Sequence, residues 1–205
     1  RAYGQRPLIP APAAATEDTI YDAASLTKVV ATTPAIMQLV ERGKLELDAP
    51  VARYLPAFAA HGKDRVTIRH LMTHMSGLRA GIPATPPWSG VAAAIERACA
   101  EKLQHAPDSR FLYSDINFIL LGELVRLASG RTLDAYTRDE IFRPLKMPDT
   151  GFLPPRDKLT RLAPTELVNG EMIHGVVHDP TARRMGGVAG HAGLFLTDRK
   201  STRLN

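Results

Sequence analysis

The sequence predicts an α+β chain, mostly helical with few strands, and three observations carry that expectation. Apolar residues recur at spacings of three and four over several stretches, which is the helical period. β-prone runs are short and few, the clearest being "DTIYD" at Asp18–Asp22. The chain has 205 residues, 44% of them hydrophobic, enough for one substantial core or a core plus a cap. There is no run of about 18 consecutive apolar residues, so no membrane span is expected.

The elements follow in order. The opening residues are rich in Pro and Ala and irregular, and "DTIYD" is one strand. From Ser25 the pattern turns helical: Leu26, Val29, Val30, Thr33, Ile36, Met37 and Val40 mark one face, and Gly43 closes the run. "LELDAPVARYLP" suits a turn or a short helix start. "VTIRHLMTHMSGL" reads as a short helix stopped at Ser76-Gly77, followed by the Pro-rich loop "AGIPATPPWSG" and a helix over Val91–Leu103. "INFILLGELVRLASG" is strongly helical and ends at Gly130. "TLDAYTRDEIFRPLKM" is another helix, stopped near Pro144, and the chain after Met147 is loop-like. The last apolar piece, "GGVAGHAGLFLT", is Gly-rich and is expected to lead into a further helix.

Composition narrows the function classes. The net charge is +5, but Arg199, Lys200 and Arg203 of the final "DRKSTRLN" supply part of it. Those eight residues back-translate to a common sequencing-adapter sequence, so 198–205 is expected to be a non-native tail behind a domain spanning 1–197. The remaining Lys and Arg are scattered among acids with no aromatic-interleaved basic stripe, so no nucleic-acid partner is expected. The single cysteine, Cys99, excludes an internal disulfide and sits in a packed helical pattern. The chain begins at Arg1 rather than Met, so its start need not be the gene's start. Localisation therefore stays open, a bacterial periplasmic or extracellular setting being compatible, and so does oligomeric state.

Two motifs carry chemistry. Ser25 and Lys28, in "ASLTK", stand at i and i+3, which share a helix face with Cβ atoms about 5–6 Å apart. A serine near a helix N-terminus lies close to unpaired N–H groups that favour developing negative charge, and a partly desolvated lysine can take its proton. Ser-x-x-Lys also arises by chance in roughly one in three to one in two chains of this length, and Ser25 could simply cap a helix. The second motif is "YSDIN", Tyr113 to Asn117. A phenol beside a cationic lysine gives up its proton more readily and can serve as base and then acid. Equally, Ser114 or Asp115 could cap the following helix with Tyr113 as packing.

Order and distance link the two. Ser-x-x-Lys followed roughly 85–90 residues later by Tyr-Ser-x at the mouth of an apolar helix is the order found in penicillin-recognising serine enzymes. "ASLTKVVATT", "VTIRHLMTHMSGL", "YSDINFILLGELV" and "GGVAGHAGLF" together resemble segments of the class C β-lactamase-like serine hydrolase family, over about Thr19 to Leu196. That family holds esterases, D-alanyl carboxypeptidases and β-lactamases. The resemblance implies a β-lactamase/transpeptidase-like fold, an antiparallel sheet flanked by helices plus a helical subdomain. It implies a serine hydrolase acting through an acyl-enzyme on a small ester, amide or lactam, without metal or cofactor. Ser25 would be the nucleophile, Lys28 would assist its deprotonation, and Tyr113 would be base and then acid. Asp115 stands where many members have asparagine; an ionised carboxylate only accepts hydrogen bonds, so it could hold Lys28 protonated and leave base catalysis to Tyr113. That departure favours ester substrates over lactams or peptides. Asn117 is a candidate polar contact or a first-turn helix residue. The alternative from another class is a non-catalytic relative that binds peptidoglycan peptides or serves as a scaffold.

The family's third motif, His/Lys-x-Gly on a strand, is not assigned to "HAG" at His191–Gly193, which follows Tyr113 too closely. That motif and the C-terminal strands are expected downstream of this chain. His178 and Asp179 suit either the border of the cleft or the support of a loop. His70 and His74 have zinc-protease spacing, but Leu71 stands where a glutamate is required. No G-x-S-x-G, phosphate loop or dinucleotide fingerprint is present.

Overall fold

The computed structural model describes residues 1–7 and 11–198, so most of the expected tail, 199–205, lies outside the described residues. The expected α+β architecture is present, with helices against a small antiparallel sheet. Strand β1 (Ile20–Asp22) leads through a tight turn into a π-helical turn (Lys28–Thr32) and helix α1 (Thr33–Glu41). Helices α2 (Ile68–Met72), α3 (Val91–Ala100), α4 (Asp115–Ser129) and α5 (Leu133–Thr137) follow. Then come strand β2 (Gly151–Phe152), the hairpin β3 (Leu167–Val168) and β4 (Glu171–Met172), helix α6 (Pro180–Arg184) and strand β5 (Leu194–Thr197).

The main sheet has the order β1-β5-β2, both pairs antiparallel, with Tyr21 opposite Leu196 and Phe152 opposite Leu194. β5 is therefore the central strand, and all four of its residues are buried. The sequence pattern missed it, because a short apolar run buried on both faces has no alternation to betray it. The β3–β4 turn is Asn169-Gly170, both at positive φ as a tight hairpin turn requires.

α4 is the centre of the core. Ile116, Ile119, Leu120, Leu121, Leu124 and Val125 are all buried, and the helix stops at Gly130 in the left-handed conformation, as expected. Ser114 occupies the N-cap position but makes no cap bond; its hydroxyl donates to the Arg79 carbonyl at 2.6 Å instead. The loop Gly186–Gly193 runs across α4 so closely that a Cβ on Gly190 would stand 1.9 Å from the Phe118 carbonyl oxygen. Only glycine permits that approach.

The first helix differs from its predicted phase. Leu26 and Val29 are 53% and 59% exposed, whereas Lys28 is 3% exposed among Val30, Ala31 and Thr32. The cause is the π-helical turn, whose wider winding shifts the register against the regular helical period. The chain thus turns its lysine inward and two apolar residues outward.

Candidate active site

The site begins with a strained turn. Asp22 ends β1, and its Oδ1 accepts a hydrogen bond from the Ala24 N–H at 2.8 Å. Ala24 adopts φ of 44°, the left-handed region that residues with a Cβ rarely enter. Thr27 fixes the turn to the sheet: its hydroxyl donates to the Ala24 carbonyl at 2.6 Å and accepts from the Leu194 N–H at 3.1 Å. Ser25 is left exposed at the head of the helix.

Two side chains converge on Ser25. Lys28 Nζ donates to its Oγ at 3.0 Å, and the Tyr113 hydroxyl donates to the same oxygen at 2.9 Å. Lys28 Nζ also lies 4.8 Å from the centre of the Tyr113 ring. Two further acceptors surround the ammonium. Asp115 Oδ1 meets it at 2.7 Å as an ion pair, off the direction of a regular hydrogen bond, and the His191 carbonyl accepts from it at 3.1 Å. The structure thus brings Ser25, Lys28, Tyr113 and Asp115 into one cluster.

His74 is a residue that sequence reasoning set aside. Its carbonyl accepts from the Leu112 N–H at 3.0 Å and its Nδ1 from the Ser114 N–H at 3.1 Å, so it grips the backbone on both sides of Tyr113. Its ring packs on the Tyr113 ring at 4.5 Å. Burial, and then the nearby Lys28 charge, push the His74 imidazole below its ordinary value, so it stays neutral with Nδ1 as an acceptor. The one sequence-level hint is its place two residues before "SG", a turn signal, and its φ of 58° shows the chain turning there.

Asn117 and His178 do not reach the cluster as substrate contacts. Asn117 is fully buried in the first turn of α4: its Oδ1 accepts from Ser76 Oγ at 2.6 Å and its Nδ2 lies 3.3 Å from His74 Nδ1. It supports His74, and through it Tyr113. His178 donates its backbone N–H to Asp22 Oδ2 at 2.7 Å, and its ring turns outward to Glu166 at 2.7 Å. Its placement is the loop-supporting one.

Asp115, Asp179 and His191 offer ligand atoms that all lie within 4.8 Å of one another. A divalent cation there would face the Lys28 ammonium already paired with Asp115, so the donor set fits a metal poorly. No described helix is long and apolar enough to cross a membrane.

Comparisons with known proteins accord with this geometry. The family model described as "Beta-lactamase" matches residues 2–203. A protein of Escherichia coli (strain K12), provisionally named D-alanyl-D-alanine carboxypeptidase, is 35% identical, the match covering 95% of this chain and 52% of the relative. A solved class C β-lactamase superposes with a TM-score of 0.81 at 24% identity, over 98% of this chain and 54% of its own. The β-lactamase/D-alanine carboxypeptidase from Yersinia pestis, solved with citrate, gives 0.77 at 23% identity over 100% and 57%. The chain spans about half the length of these relatives.

Proposed function

The chain belongs to the beta-lactamase family, and from that premise we propose that it carries the acylating machinery of a serine hydrolase acting on a small ester, amide or lactam. One observation carries the proposal: the Tyr113 hydroxyl and the Lys28 ammonium meet at Ser25 Oγ, at 2.9 and 3.0 Å. Nucleophile and proton-transfer group are thus within direct hydrogen-bond reach of each other.

The chemistry follows from those contacts. Ser25 Oγ attacks the substrate carbonyl and forms an acyl-enzyme. For this step Tyr113 acts as phenolate, its own proton having left to solvent: it takes the Ser25 proton and delivers it to the leaving group. Water, giving a proton to Tyr113, then breaks the acyl bond, and the proton returns to Ser25 Oγ. Lys28, paired with Asp115, supplies positive charge beside both oxygens rather than acting as the base. Because Asp115 cannot donate to a substrate carbonyl, esters are favoured over lactams and peptides. Turnover of a nitrophenyl ester tests the proposal: Ser25→Ala abolishes it without changing the circular dichroism spectrum. Unchanged hydrolysis by that variant refutes the assignment.

A further inference from the structure

Behind Lys28 stands a pair of side chains that the proposed chemistry does not use. His191 is 1% exposed, and its ring Nε2 lies 2.9 Å from Asp179 Oδ1. Asp179 is the N-cap of α6, its Oδ1 accepting from the Ala182 N–H at 2.7 Å. Burial works to raise the Asp179 carboxyl, but the His191 hydrogen bond and charge and the N–H groups of Ala182 and Thr181 outweigh it and hold it at about 2. The carboxylate is therefore ionised at neutral pH and only accepts, so His191 Nε2 is the donor of this hydrogen bond.

The placement of this pair is specific. His191 presents its side chain to Asp179 and its backbone carbonyl to Lys28 Nζ. The backbone around it is permissive, with Gly190 before it and Gly193, at φ of 111°, after it. Thr32 holds the Gly190 carbonyl at 2.7 Å and Thr27 holds the Leu194 N–H at 3.1 Å. Between those two anchors, the His191 ring is held to Asp179 while its carbonyl faces the ammonium.

We propose that the His191–Asp179 pair is a positioning clamp for Lys28, tying the lysine's third acceptor to the start of α6. The pair touches no reacting atom; it keeps Nζ aimed at Ser25 Oγ by fixing one of the three groups around it. This rests on the reading of Ser25 and Lys28 as partners in acylation, but the clamp can be tested without turnover.

The test is NMR of the 205-residue chain with 15N-labelled lysine side chains. Buried ammonium groups with fixed acceptors exchange slowly enough to give a proton–nitrogen signal. Lys28 is one such group, identified by its loss in Lys28→Met. Lys63 is the internal control: it is fully buried and donates to the Ala60, Cys99 and Glu101 carbonyls at 2.7, 2.8 and 2.6 Å. His191→Phe fills the ring's space without a donor and should lose or shift the Lys28 signal while Lys63 is unchanged. His191→Gln restores an N–H toward Asp179 and should bring the signal back. Asp179→Ser keeps a capping hydroxyl on α6 but cannot reach His191, and should behave like His191→Phe. An unaltered Lys28 signal in His191→Phe or Asp179→Ser overturns the clamp. So does equal loss in His191→Gln and His191→Phe. Covalent labelling of Ser25 is read on the same samples: a parent chain that shows the stated Lys28 behaviour without labelling counts against the hydrolase reading alone.

Discussion

The Lys28 ammonium and the Asp115 carboxylate meet at 2.7 Å, next to the serine that both Lys28 and Tyr113 touch. The lysine side chain is buried, while the aspartate is partly open to solvent. The pair therefore joins an interior charge to the rim of the site, where a substrate carbonyl would lie.

Replacing that carboxylate tests what it does. Asp115→Asn removes the negative charge from Lys28 and adds a donor toward substrate. The ratio of penicillin acylation to ester acylation should rise by about two- to tenfold, the scale of one hydrogen bond between neutral groups. An unchanged ratio would show that Asp115 does not set substrate preference.

Tyr113 is assigned proton transfer, and its ring and hydroxyl can be separated. Tyr113→Phe keeps the packing on His74 and removes only the group that reaches Ser25. Acylation should slow by about 10²- to 10⁴-fold, the usual worth of a positioned acid–base group. The melting temperature should barely move, because the hydroxyl lies at a half-exposed position. Acylation at the parent's rate would remove Tyr113 from the chemistry.

His74 makes the site sensitive to acid. Its imidazole is held below the ordinary value of 6.5 in the folded chain, by burial first and by the Lys28 charge second. The unfolded chain therefore binds the extra proton first as pH falls. The stability this group contributes is fully present above about 6.5 and declines as pH drops below that value toward the folded one. His74→Phe, which keeps an aromatic ring against Tyr113, should flatten the pH dependence of denaturant stability in that window. It should also lower stability at pH 8 by about 1–3 kcal/mol, since the Ser114 N–H and Asn117 amide lose their acceptor. An identical pH slope in parent and variant would contradict this.

Much of the site was legible because its spacing is local. Ser25 and Lys28 are one helical turn apart, and a turn sets their contact whatever surrounds it. The long apolar run of α4 and its Gly130 stop were equally legible, since period and cap agree. Tyr113 could be joined to Ser25 only through family resemblance, because no local rule relates positions 88 residues apart. The phase of the first helix was misread for a definite reason: a π-helical turn leaves no mark in an apolar pattern counted at 3.6 residues. His74, Asp179 and His191 were hidden because their roles come from loops brought together by packing on α4 and α6. β5 was hidden because its neighbours β1 and β2 lie far away in sequence.

The measurement that bears most directly on the account is covalent labelling of the chain with a fluorophosphonate or penicillin probe, followed by peptide mapping. The account predicts one adduct, on Ser25, absent in Ser25→Ala and strongly slowed in Tyr113→Phe and Lys28→Met. A folded chain with no adduct on Ser25, or with labelling that persists in Ser25→Ala, would contradict it.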